Sequence, residues 1–128
     1  MRVLLADDQQ QVRSALRVLL ELEPDVQIVG EAADSTGVLL AAARKESDLV
    51  LLDWELPGLP PDQLLRLLRY EHPTLAVVGM SSRPEARVAA VAAGVDAFVC
   101  KGDAPDELLE TVRCRAGSDR SSKPDRLI

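Results

Sequence analysis

The 128-residue sequence predicts a doubly wound α/β domain built on a five-stranded parallel sheet, and three observations lead there. Short, wholly apolar runs such as Val3 to Ala6, Leu49 to Leu52 and Leu75 to Val78 lack the polar alternation of a half-exposed strand, as expected of strands buried on both faces. Stretches with apolar residues at helical spacing alternate with the runs, the pattern of βαβ units that lay helices over both sides of a sheet. Hydrophobic residues make up 47% of the chain but aromatics only 2%, so the core has to be leucine, valine and alanine packed between regular elements.

In chain order, residues 2–6 are the first strand, and residues 10–22 a helix with Val12, Ala15, Leu16, Leu19 and Leu20 on its inner face. Residues 26–32 partly alternate, as an edge strand covered on one face does, and Asp34-Ser35 opens a second helix running to about Arg44. Residues 49–52 form the third strand. Pro60-Pro61-Asp62 then starts a leucine-rich helix with Leu64, Leu67 and Leu68 on one face. Residues 75–78 are the fourth strand, Pro84 stands at the next helix start, and Gly94 closes that alanine-rich helix. Residues 96–100 are the fifth strand, after which Asp103 can cap a last helix with Pro105 in its first turn and Leu108, Leu109 and Val112 facing inward. Residues 1–116 therefore read as one domain, and residues 117–128, which lack any period, as a flexible tail or the start of a linker.

The formal charge of −6 argues against a nucleic-acid or anionic-membrane surface, since a domain that tracks phosphates carries a basic face. The apolar run at the start is too short for a signal-peptide core or a membrane span, so a cytoplasmic location is expected. Cys100 and Cys114 are too far apart for a paired motif and read as reduced, while His72, the only histidine, precedes Pro73 in a loop.

In open parallel sheets, functional groups gather at the carboxyl ends of the strands, near the point where the winding reverses. Those ends carry Asp7 and Asp8, Asp53, Ser81 and Ser82, and Lys101. Asp53 is the strangest of them, because a strand buried on both faces has no structural use for a carboxylate at its tip. Taken singly, Asp53, Asp7 and Asp8 read as turn or helix-cap residues, Ser81 as another cap, and Lys101 as a solvated strand-end lysine. Together, at four strand ends of one sheet, they point to chemistry. The turn after the first strand, Asp7-Asp8-Gln9-Gln10, has none of the glycines with which nucleotide-binding folds cradle phosphate, and its charge would repel a phosphate that came without a cation.

Two like charges ~5 Å apart at an effective dielectric near 20 repel by about 3 kcal/mol, so Asp7, Asp8 and Asp53 call for a hard divalent cation. Mg2+ suits carboxylates plus a backbone carbonyl and accepts phosphate oxygens as further ligands. A carboxylate can act as a phosphoryl nucleophile when positive charge holds the incoming group in line, and Lys101 and Mg2+ supply that charge. Ser81 can donate to a phosphoryl oxygen, which would draw its loop inward on modification, with Phe98 as the nearby ring that reports the shift. Glu55 and Arg83, each two residues beyond a site residue, can meet across the mouth of the site and hinder an attacking water.

On these residues, the chain resembles the receiver domain of two-component response regulators over about residues 2–115, particularly receivers joined to helix-turn-helix output domains in transcription regulators. Asp7-Asp8, Asp53 in Leu-Leu-Asp-Trp-Glu-Leu-Pro-Gly, Ser81 in Val-Gly-Met-Ser and Phe98-Val-Cys-Lys101 stand in the family's order and approximate spacing. The resemblance implies a flavodoxin-like fold with strand order 2-1-3-4-5, and a phosphorelay in which Asp53 takes a phosphoryl group from a histidine kinase or phosphotransfer protein. It implies that Asp8 binds Mg2+ directly with Asp7 assisting, that Asp53 and the Glu55 backbone carbonyl complete the metal set, and that Lys101 pairs with the phosphoryl group. Ser81 and Phe98 would be the switch pair, and helix four, strand five and helix five the surface for a homodimer, an output domain or a partner protein. Such a domain is a phosphoacceptor that supports its own phosphorylation and dephosphorylation rather than an enzyme. Gly102 departs from the proline that often follows the family's lysine and loosens that segment.

Two other readings stay open at the level of sequence. A receiver-like module that binds its protein partner regardless of phosphorylation would keep its affinity in Asp53→Ala. A phosphatase using Asp53 as nucleophile, as dehalogenase-like enzymes do, would need a second aspartate where Glu55 stands, and turnover of small phosphate esters would reveal it.

Overall fold

The computed structural model describes the backbone of residues 1–125 and the side chains of residues 1–115. Strands β1 (Arg2–Ala6), β2 (Gln27–Ala32), β3 (Leu49–Asp53), β4 (Ala76–Ser81) and β5 (Ala97–Cys100) alternate with helices α1 (Gln10–Leu20), α2 (Ser35–Ala43), α3 (Pro61–Glu71), α4 (Ala86–Ala93) and α5 (Pro105–Asp125). The strands form one parallel sheet in the order β2-β1-β3-β4-β5. The winding reverses between β1 and β3, which opens a crevice beyond their carboxyl ends.

Successive residues of β3 feed opposite faces of the sheet, because side chains alternate along a strand. Val50 and Leu52 join Leu4, Val38, Leu64, Leu68 and Ala90 in the core under α2, α3 and α4. Leu49 and Leu51 join Val3, Leu5, Leu20, Leu108 and Val112 in the core under α1 and α5. All five residues of β3 are buried, which is why that run is apolar throughout until Asp53. The edge strand β2 is buried fully only at Ala32, in keeping with its partial alternation.

The ends of the elements depart from the sequence reading in three places. Helix α4 begins at Ala86, two residues after Pro84, because the Ala86 N–H bonds to the Arg83 carbonyl and the Arg87 N–H to the Pro84 carbonyl in a preceding turn. Helix α5 begins at Pro105, which makes Ala104 its boundary residue and leaves Asp103 one position further out. It then runs past Gly117 to Asp125, since extending a helix whose first turns are packed costs far less than starting one. Of the tail expected over 117–128, residues 126–128 lie outside the described residues. Among the described residues no helix is long and apolar enough to cross a membrane.

Candidate functional site

Asp53, at the carboxyl end of β3, is only 2% exposed. The chain turns at once: the Glu55 N–H donates to Asp53 Oδ1 at 3.0 Å, the Leu56 N–H to the Asp53 carbonyl at 3.1 Å, and the Trp54 N–H reaches across to the Met80 carbonyl at 2.7 Å. The Pro57-Gly58 bend is braced from α2. Buried Ser35 donates its N–H to the Pro57 carbonyl and accepts the Leu59 N–H at its hydroxyl, while Gly58 adopts φ +114°, a conformation that suits glycine.

Parallel pairing brings the neighbouring strand ends to the same level. Asp7 follows β1, fully buried; its N–H donates to the Ala32 carbonyl and its Oδ1 accepts the Gln9 N–H at 2.9 Å. Asp8 beside it is exposed. Carboxylate oxygens of Asp7, Asp8 and Asp53 all lie within 4.8 Å of one another. From β5, Lys101 places its Nζ against Asp7 Oδ2 and 3.3 Å from Asp53 Oδ1, with its N–H on the Ser81 carbonyl.

The electrostatics follow from that arrangement. Burial raises the Asp53 carboxyl above its ordinary range and the Asp7 charge adds to it, against the opposing pull of the Glu55 N–H and Lys101. Burial alone would depress the Lys101 ammonium, but the carboxylates of Asp7 and Asp53 more than offset it, so Lys101 stays charged. Three carboxylates thus share one ammonium, which lies against the buried Asp7 Oδ2. Surplus negative charge on three converging carboxylates, all hard oxygen ligands, fits a divalent cation such as Mg2+.

Ser81 at the end of β4 is fully buried. Its hydroxyl donates to the Glu55 carboxylate, 2.8 and 2.9 Å from the two oxygens, and accepts the Arg83 N–H at 3.0 Å. The Arg83 side chain lies 3.3 Å from Glu55, so the pair does meet at the mouth of the site. Ser82 is exposed and stands apart from the cluster. The Phe98 ring is buried; a Cβ on Gly79 would lie 3.3 Å from it and 3.7 Å from the Trp54 ring, so the bare glycine makes the slot between them. Arg87 of α4 covers the same ring, 5.0 Å from its centroid, with a guanidinium N–H 3.4 Å from the Phe98 carbonyl.

Two features escape sequence reasoning. Arg87 lies eleven positions from Phe98, and nothing in a helix of alanines and valines marks it as the residue that covers the ring. Arg13 of α1 donates to the Asp7 carbonyl at 2.6 Å and to Glu31 Oε1 at 2.8 Å, and Arg17 binds the other oxygen of Glu31 at 2.7 Å. The only trace of this in the sequence is the one-turn spacing of the two arginines.

A family model described as the response regulator receiver domain matches residues 3–113. The nitrate/nitrite response regulator protein NarP of Escherichia coli is 32% identical over 117 residues, covering 90% of this chain and 54% of that protein. A protein-glutamate methylesterase/protein-glutamine glutaminase of Cereibacter sphaeroides is 32% identical over 110 residues, covering 84% of this chain but 30% of that protein. The crystal structure of a two-component response regulator of the LuxR family from Aurantimonas superposes with a TM-score of 0.83 at 28% identity, covering 91% of this chain and 85% of that one. The chain spans about half the length of the curated response regulators it matches. With the acidic crevice at the strand ends, the 2-1-3-4-5 sheet and a family model that matches nearly the whole chain, this protein belongs to the response regulator receiver domain family, the phosphorylation-dependent switches of two-component signalling.

Proposed function

We propose that the chain takes a phosphoryl group on Asp53 from a phosphohistidine of a histidine kinase or phosphotransfer protein, in the cytoplasm. The observation that carries this reading is the buried Asp53 carboxylate at the centre of the Asp7, Asp8 and Lys101 cluster. Asp53 Oδ1 is engaged by the Glu55 N–H and Lys101, and no described residue donates to Oδ2, which leaves Oδ2 open for the new bond. Attack by that oxygen forms a P–O bond while the P–N bond of the donor breaks, its electron pair leaving with the imidazole.

Asp8, Asp53 and the Glu55 backbone carbonyl, with Asp7 assisting, would hold Mg2+, which supplies charge neutralisation for the phosphoryl oxygens. Lys101 holds a second positive charge on the same side. Asp7 keeps that lysine charged and pointed inward, and burial of Asp53 itself limits access of water.

The switch in this proposal is an exchange of partners at Ser81. Before phosphorylation its hydroxyl is spent on Glu55; a phosphoryl group on Asp53 offers a competing acceptor, and moving the hydroxyl inward frees Glu55 and Arg83. Phe98 in its slot and Arg87 above it carry the change to α4, whose exposed Val88 and Val91 suit a dimer or output contact. Trp54 adjoins Asp53 and lines the Phe98 slot, so its fluorescence should respond to Mg2+ and shift further on addition of beryllofluoride, a phosphoryl mimic. A silent signal with both ligands would count against the proposal.

A further inference from the structure

Asp8 has to be aimed by its backbone, since it is exposed and no described residue donates to its side chain. The backbone of Asp7, whose carbonyl belongs to the peptide that joins it to Asp8, is held at both of its polar groups. The Asp7 N–H is tied to β2 through the Ala32 carbonyl, and the Asp7 carbonyl receives Arg13 Nη1 at 2.6 Å. Arg13 is itself held in place: its Nε bonds to Glu31 at 2.8 Å, and its side chain is only 15% exposed. Glu31 stands opposite Leu5 in the β1–β2 register and takes Arg17 on its other oxygen, so its carboxylate joins β2 to α1, and Arg13 carries the link on to the turn after β1. Arg17 and Arg13 hold the Glu31 carboxyl below the usual carboxylate range, which keeps it charged.

We infer that Arg13 is a positioning residue for divalent-cation binding: it sets the plane of the Asp7-Asp8 peptide so that both carboxylates face one point, and Glu31 aims it while offsetting its charge. The inference rests on the metal reading proposed above. It also makes sense of a cation beside a cation site. An arginine so near a divalent ion would repel it, and the paired Glu31 removes most of that cost while the guanidinium fork reaches the carbonyl and the carboxylate at once. Lysine, with a single ammonium, would not hold both with the same geometry.

Simple charge effects and positioning have opposite signs, which makes the test sharp. If only long-range charge mattered, deleting Arg13 would tighten Mg2+ binding; if Arg13 positions the turn, deleting it weakens binding. Mg2+ affinity would be measured by Trp54 fluorescence and by the Mg2+-dependent shift in melting temperature, at fixed ionic strength, for wild type, Arg13→Ala, Arg13→Lys, Glu31→Gln and the Arg13→Ala/Glu31→Gln double variant. Circular dichroism would confirm that each is folded. Loss of a partner that orients a metal ligand typically costs about 10- to 100-fold in metal affinity, so Arg13→Ala should fall at or above the low end, with Arg13→Lys between it and wild type. Glu31→Gln should weaken Mg2+ when Arg13 is present and cost nothing more in the Arg13→Ala background. Should Arg13→Ala not fold, Arg13→Lys and Glu31→Gln carry the test. Unchanged or tighter binding in a folded Arg13→Ala, or losses that add independently, would overturn the inference. A wild type that ignores Mg2+ would instead remove the metal reading itself.

Discussion

Asp53 is a carboxylate held in an unfavourable place, and the cost should be measurable. Its folded-state value is raised, first by burial and then by Asp7, so the ionised carboxylate costs more in the folded protein than in the unfolded chain. With an ordinary value near 3.8 in the unfolded chain, this residue subtracts stability progressively as pH rises from there, and the full penalty is present above the raised folded value. Asp53→Asn, which keeps the shape and loses the charge, is therefore expected to raise the melting temperature by a few degrees at neutral pH without Mg2+, and to lose that advantage in acid. Thermal melts across pH decide it; a variant less stable than wild type at neutral pH would show that the Lys101 pairing outweighs burial. At the mouth of the site, Ser81, Glu55 and Arg83 share hydrogen bonds, so Glu55→Ala and Arg83→Ala should change the dephosphorylation rate non-additively. Glu55 and Arg83 are partly exposed, and coupling worth up to ~1 kcal/mol corresponds to about fivefold in rate. Additive single and double variants would break the link. Asp7, Asp8, Asp53, Ser81 and Lys101 could be picked out of the sequence because topology alone puts strand ends side by side. Arg13 and Arg87 could not, because their contacts depend on how α1 and α4 are rotated and on where long side chains end.

The elements position these residues through a few specific contacts between neighbours. The β3–α3 loop keeps its shape because Ser35, at the start of α2, satisfies the Pro57 carbonyl and the Leu59 N–H. A Cβ on Gly58 would fall 2.0 Å from the Ser35 hydroxyl oxygen and would also oppose the positive φ. Gly58→Ala should cost roughly 1–3 kcal/mol by strain of this kind, and should weaken Mg2+ binding through the displaced Glu55 carbonyl. Denaturant unfolding with a parallel Mg2+ titration tests both effects; a neutral Gly58→Ala would show that the loop can repack. On the far side, Arg69 donates to the carbonyls of Leu75 and Gly94 and to Asp96, which in turn accepts the Val77 N–H, joining α3 to the start of β4 and β5. Strands and helices were legible from period and punctuation, since β3 is apolar wherever it is buried and Gly94 ends α4 in a left-handed cap. Helix ends were less so: Pro84 is compatible with either a turn or a first helical residue, and the polar stretch after Gly117 has no apolar face to show that α5 continues.

For the whole molecule, one sheet order explains where the candidate site lies. Reversal of winding at β1 and β3 puts Asp7 and Asp53 next to each other, and β4 and β5 add Ser81 and Lys101 in turn. Stretches similar to this chain occur in relatives named as a nitrate/nitrite response regulator and as a protein-glutamate methylesterase, so the domain by itself does not say what the signal controls. The most direct measurement is the intact mass of the protein after incubation with acetyl phosphate and Mg2+, in wild type and in Asp53→Asn. Wild type should gain the mass of one phosphoryl group, dependent on Mg2+, and Asp53→Asn should gain none; no gain in wild type, or an equal gain in the variant, would contradict Asp53 as the phosphoryl acceptor.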